Sequence, residues 1–239
     1  MEAVPLPSLA EVLTRMREAA DPANVAGMAR YGITSAGTLG VPMPFLRQIE
    51  RETRSARRAR PEQAHQLAAE LWDSCVHEGR ILAALLEVPA LVTPGQADAW
   101  AAGLDSWDVC DQLTGNLLDK TPFAYAKAEE WAGTEPEFVK RAAFSLMVAL
   151  ATHDKAAGDE PFVRFLSLIE REASDERNFV KKAVNWALRG IGKRNRYLHE
   201  AAVVVGMRLR ESESGAARWV ACDALRELRD ERVIARIRS

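Results

Sequence analysis

The chain has 239 residues, 48% hydrophobic and 28% charged, enough to bury a sizeable core in one large domain or two small ones. A formal net charge of −2 argues against a simple nucleic-acid-coating protein, while leaving room for a binder whose cations gather on one surface. No run approaches the roughly 18 apolar residues of a membrane helix, and Cys75, Cys110 and Cys222, with no CxxC pair, support neither a disulfide framework nor a zinc site.

Taken in order, the first seven residues, Met-Glu-Ala-Val-Pro-Leu-Pro, lack the basic and apolar blocks of a secretion signal, so a cytoplasmic protein is expected. Ser8 with Glu11 forms a capping-box pair that opens a helix over 8–20, and Asp21-Pro22 ends it. A short helix over 23–31 leads to Met28-Ala29-Arg30-Tyr31. Residues 32–42 form the one glycine-rich loop; it follows no strand and lacks the Lys-Ser/Thr ending of a phosphate-binding loop, which excludes nucleotide binding there. Pro44 suits the first turn of a helix over 43–57. The stretch from Arg47 to Arg60 holds six arginines, whereas the carboxylates scatter over other helices.

Further helices are expected over 61–73, 77–88, 94–104 (capped by Thr93), 107–118 (with Ser106 as cap) and 122–132. Thr134 with Glu137 is a second capping-box pair, before a long helix to 152. A polar break at His153–Asp159 precedes helices over 160–172, 176–193, 195–211 and 215–229. Residues 176–193 read in two ways. Phe179, Ala183, Ala187 and Ile191 make one apolar line, with Val180 and Val184 beside it. Lys182, Trp186, Arg189 and Lys193, spaced four, three and four apart, share another face and set three cations around one indole. That face is either groove packing with a solvated rim, or an aromatic plane and phosphate-binding groups presented to nucleic acid.

Repeated helix pairs without strands point to an all-α protein. The expected architecture is an α-solenoid of antiparallel helix pairs, with one concave face, rather than a compact bundle. Trp107, Arg141 and Trp186 lie 34 and 45 residues apart, close to one helical repeat each, so they can converge on the inner helices.

Short pieces recur in a telling order. They are Met28-Ala29-Arg30-Tyr31, Leu39-Gly40-Val41, Leu46-Arg47, Glu70-Leu71-Trp72, Glu78-Gly79-Arg80, Ser106-Trp107-Asp108-Val109-Cys110-Asp111, Lys140-Arg141-Ala142-Ala143 and Lys182 through Arg189. In this ordered set, spanning roughly residues 28 to 193, the chain resembles the AlkD-type DNA alkylation repair glycosylases, a HEAT-like-repeat family. The resemblance implies a single domain over 1–239 and hydrolysis of the N-glycosidic bond of cationic N3- or N7-alkylated purines in duplex DNA. It implies no cofactor or metal, no membrane, and action as a monomer. The family's catalytic aspartate corresponds to Asp111 and its tryptophan to Trp107. Its groove arginine corresponds to Arg141, its second groove tryptophan to Trp186, and its N-terminal tyrosine to Tyr31. Arg47, Lys182, Arg189 and Lys193 complete the expected DNA contacts. Cys110 stands where the family carries a small aliphatic residue, and is read as a packing substitution.

The chemistry also follows from the residues. Trp107 and Asp111, four apart, lie on one helical face and can flank a single ligand. Breaking an N-glycosidic bond builds positive charge on the sugar, which a preorganised carboxylate stabilises while orienting the attacking water. An alkylated purine is already cationic and leaves without a general acid, so one carboxylate suffices. Indoles attract such cations by about 0.5–2 kcal/mol each. Asp108, one residue from Trp107, is expected to point elsewhere. Trp72, Trp100, Trp131 and Trp219 are assigned to packing, and no histidine has metal-ligand spacing. Two rivals remain open: a HEAT-like scaffold that binds another protein, and a non-catalytic relative that binds distorted DNA.

Overall fold

A computed structural model describes residues 5–33 and 36–237. Residues 1–4, part of the segment read for a secretion signal, and Thr34 and Ser35 of the glycine-rich loop lie outside the described residues. Among the described residues all regular structure is helical, fourteen α-helices and one 3-10 turn, as the sequence pattern predicts. The chain divides into two compact units, Met1–Thr121 and Pro122–Ser239.

The first unit contains α1 (Leu9–Glu18), α2 (Pro22–Ala29), α3 (Met43–Ala59), α4 (Pro61–Asp73), α5 (His77–Leu86), α6 (Pro94–Ala102) and α7 (Trp107–Asn116), then a 3-10 turn, Leu118–Lys120. Local chemistry sets most boundaries. The Ser8–Glu11 capping box closes on both sides, Asp21 accepts from the Ala23 N–H ahead of Pro22, and Thr93 accepts from Gln96 N–H at 3.1 Å. Helix α5 is the centre of the unit: every residue except Arg80 is buried, and it packs against α3, α4 and α7. Trp72 and Trp100 stack with ring centroids 4.3 Å apart, and the Arg80 guanidinium lies over Trp72.

The second unit contains α8 (Ala124–Ala132), α9 (Glu137–His153), α10 (Glu160–Glu172), α11 (Asn178–Gly192), α12 (Arg196–Arg210), α13 (Gly215–Leu228) and a short α14 (Glu231–Ile234). Helices pair as α8 with α9, α10 with α11 and α12 with α13, each across a short loop. Helices α9, α11 and α13 also contact in succession, as do α8, α10 and α12. This is the two-layer order of stacked helix pairs. Gly192 permits the close approach at the end of α11: a Cβ there would lie 2.8 Å from Leu228 and 3.0 Å from Ala202.

Three local expectations are corrected. The Thr134–Glu137 box does not form, because Pro136 takes the N-cap position and the Thr134 hydroxyl donates back to the Trp131 carbonyl. Ser106 caps no backbone N–H and turns instead to Asp108. Trp72, Trp100 and Trp131 are buried as expected, but Trp219 is 41% exposed and is not a core residue.

Candidate active site and nucleic-acid interface

In the first unit, α2, the loop to α3, α5 and α7 enclose a cleft of about 740 Å3. This size is ordinary for a small-ligand site. Tyr31, Trp107 and Asp111, matched above through the family, all line it, together with Met28, Val41, Met43 and Ile81. Trp107 is the first residue of α7, and its indole Nε1 donates to the Tyr31 carbonyl at 3.0 Å. That bond ties the end of α2 to the start of α7. The Tyr31 side chain itself is 72% exposed, not the ordinary core that a lone tyrosine most often becomes. Cys110 is fully buried, consistent with packing.

The charged residues that line the cleft are all acidic. Glu78, Asp108 and Asp111 line it and no lysine or arginine does, among the described residues. Asp108 therefore does not turn away from the site. One carboxylate oxygen lies 2.8 Å from His77 Nε2 and the other accepts from the Ser106 hydroxyl. Burial works against the charged His77 imidazole, but the hydrogen bond and charge of Asp108, supported by Glu78 and Asp105, outweigh it and raise its pKa. Burial likewise opposes the Asp108 carboxylate. The His77 bond and charge, the Ser106 hydroxyl and the Val109 N–H prevail and lower its pKa. His77 Nδ1 is buried with no hydrogen-bond partner among the described residues, which limits how far the pair favours the charged ring.

Glu78 holds the loop wall. Its buried carboxylate accepts from the N–H groups of Leu39 (2.9 Å), Gly40 (2.6 Å) and Val41 (3.2 Å). Gly40 has φ +77°, and a Cβ there would sit 2.2 Å from the Asp21 carbonyl oxygen, so both its conformation and its space demand glycine. Arg47 on α3 donates to the Asn116 side chain at 2.8 Å, and Asn116 bonds in turn to Gln112, a cleft residue. Sequence reasoning missed His77, Glu78, Ser106 and Asp108 as a supporting set. The signal available was the adjacency of Asp108 to Trp107 and of His77 to Glu78.

In the second unit, Lys182, Trp186 and Arg189 lie along α11, with Lys193 capping its end, opposite its buried Val180, Ala183, Val184 and Ala187. Trp186 is partly exposed and Lys182 exposed. Two of the cations are occupied: Arg189 and Lys193 (2.6 Å) share the carboxylate of Glu227 on α13. Burial raises the Glu227 pKa, but these two bonds dominate and hold it below the ordinary range. Arg141, on α9, is 95% buried and donates to the Phe179 carbonyl of α11 at 2.8 Å. Of the cations expected to face DNA, Arg189 and Lys193 are thus neutralised by Glu227, and Arg141 is internal.

Comparison with known families decides the relationship. The sequence profile of the DNA alkylation repair enzymes matches residues 12–232. The chain belongs to the DNA alkylation repair enzyme family. No curated protein matches this member of the family. A solved structure, described as "A new family of proteins related to the HEAT-like repeat DNA glycosylases with affinity for branched DNA structures", superposes with a TM-score of 0.70. It is 16% identical, over 92% of this chain and 95% of that one, and it supports the fold. No helix among the described residues is long and apolar enough to cross a membrane.

Proposed function

We propose that this alkylation-repair family member is a DNA glycosylase that hydrolyses the N-glycosidic bond of cationic N3- or N7-alkylated purines in duplex DNA. The observation that carries the reading is the composition of the first unit's cleft. An indole and a phenol stand beside three carboxylates, with no cation lining the walls. Such a site attracts a positively charged heterocycle or sugar and gives a neutral base no comparable gain.

In the proposed step the C1′–N bond breaks and its electron pair stays with the purine, neutralising the cationic ring. Positive charge passes to the sugar, where the Asp111 carboxylate stabilises it. Water then adds at C1′ and its proton passes to Asp111 or to solvent. Trp107 offers a π-face to the same charge, and its bond to Tyr31 holds the indole. Glu78 and the Asp108–His77 pair act on the loop and helix that carry these groups. Arg47, Lys182 and Trp186 are proposed DNA contacts. Arg141 is proposed to hold α9 against α11, with its effect on DNA exerted through α11.

The test is release of 7-methylguanine or 3-methyladenine from alkylated duplex DNA by the purified protein. Release by the wild type and its loss in Asp111→Asn support the reading; no release by the wild type removes it. The alternative is DNA binding without chemistry. It draws on the affinity for branched structures described for the structural neighbour. The retention of Trp107 and Asp111 in one cleft favours catalysis.

A further inference from the structure

Helices α11 and α13 run side by side in the same direction. Lys181 meets Trp219, the Asn185 side-chain amide donates to the Val220 carbonyl at 3.0 Å, and Arg189 and Lys193 meet Glu227. At the later ends of the two helices Glu227 takes both Arg189 and Lys193. The earlier ends are different. Lys181 and Lys182 have no carboxylate partner among the described residues, and Arg218 donates only to the Ser212 and Glu213 carbonyls. Of these three, Lys181 reaches Trp219, which is 41% exposed, its ammonium 5.1 Å from the ring centroid. Core packing does not require that indole, since α13 already buries Ala217, Val220, Ala221 and Ala224 on its inner side.

We propose that Trp219, with Lys181, forms a stacking subsite for an unpaired nucleotide of a DNA strand. The inference rests on the reading of the chain as a DNA-binding repair protein. An indole offers a π-face to any base, and the Lys181 ammonium beside it, with no carboxylate partner among the described residues, suits a flanking phosphate. Lys181 can leave the ring for a phosphate as the base stacks, exchanging a cation–π contact for a charge-assisted one. A protein partner would also favour an exposed tryptophan, but the Lys181 ammonium held against its ring matches a polyanion. The preference of this subsite is for unpaired rather than duplex DNA, because only an unstacked base exposes its full face.

The experiment compares a blunt duplex, the same duplex with a three-nucleotide single-stranded overhang, and that overhang made abasic, by fluorescence anisotropy at fixed salt. Wild type should bind the overhang about tenfold more tightly than the blunt duplex, and lose that preference on the abasic overhang. Trp219→Ala should abolish the preference and leave blunt-duplex affinity unchanged, while Trp219→Phe should keep part of it. Lys181→Ala should weaken overhang binding and lower its salt dependence. Equal affinity of wild type for overhang and blunt duplex, or an undiminished preference in Trp219→Ala, overturns the subsite while leaving duplex binding in place. Failure of wild type to bind any of the three DNAs overturns the DNA-binding reading itself and this inference with it.

Discussion

The His77 imidazole meets the Asp108 carboxylate at 2.8 Å, and this buried contact fixes the first turn of the helix that carries Trp107 and Asp111. Its pH dependence has a definite sign. The raised pKa of His77 means that its contribution is full below about pH 6.5 and is lost as pH rises through the raised value. The lowered pKa of Asp108 means that its contribution is full above about pH 3.9 and is lost as pH falls through the depressed value. The groups facing the ring, Asp108, Glu78 and Asp105, all favour the charged form. Urea unfolding of wild type and His77→Gln across pH should therefore show the largest stability difference between those limits, shrinking on either side. A difference that stays constant with pH removes the pair from this role.

Asp108→Asn is expected to act through the same contact. The substitution keeps the size but removes the charge facing a fully buried ring, and should cost about 1–3 kcal/mol of stability. It should also lower base release, because Trp107 and Asp111 lose a rigid anchor. Near-wild-type stability and release in Asp108→Asn would show that the backbone of α7 positions them unaided.

Glu78 gives a second supporting prediction. Its carboxylate satisfies three backbone N–H groups of the cleft wall. Glu78→Gln replaces one acceptor oxygen by a donor that faces those groups. Amide exchange at Leu39, Gly40 and Val41 should accelerate while that of the α9 core stays unchanged. Gly40→Ala should be worse, since its Cβ would overlap the Asp21 carbonyl. Unaltered exchange at all three amides in Glu78→Gln would rule out the clamp.

These predictions mark the boundary of what the sequence discloses. Caps and periodicity place many helices, because Ser8, Thr93 and the apolar line of α11 act within one or two turns. The ordered motifs named Tyr31, Trp107 and Asp111, and the structure sets all three along one cleft. The Glu78 clamp and the His77–Asp108 pair join residues 31 to 39 positions apart, and no local rule reports such partners. The same blindness hid Glu227, 34 and 38 residues from the cations it neutralises. It also assigned Trp219 to packing, because tryptophan is apolar whatever its helix leaves uncovered.

Asp111→Asn separates catalysis from binding. The change preserves size but removes the charge proposed to face the oxocarbenium ion. Excision should slow by at least about tenfold, roughly 1.4 kcal/mol of barrier. Duplex affinity should hold or rise, because a carboxylate near phosphates repels them. The loss should be deepest for the stable 7-methylguanine and smaller for the labile 3-methyladenine. Equal excision by both proteins would take Asp111 out of the mechanism.

Glu227 is expected to restrain DNA binding by α11. Its carboxylate holds Arg189 and Lys193 together, so two of the four charges and rings on that face are engaged within the protein. Glu227→Gln leaves an amide that still accepts a hydrogen bond but no longer neutralises either cation. Each cation that then reaches a phosphate adds about one to the magnitude of the log–log salt slope. Duplex affinity at low salt should rise and fall more steeply as salt increases, with a slope change of about one to two. Lys182, exposed and without a carboxylate partner among the described residues, gives the opposite case. Lys182→Ala should weaken binding across sequences and reduce the slope by about one. Should Glu227→Gln leave both affinity and slope as in the wild type, Arg189 and Lys193 serve the packing of α11 on α13 and not the DNA.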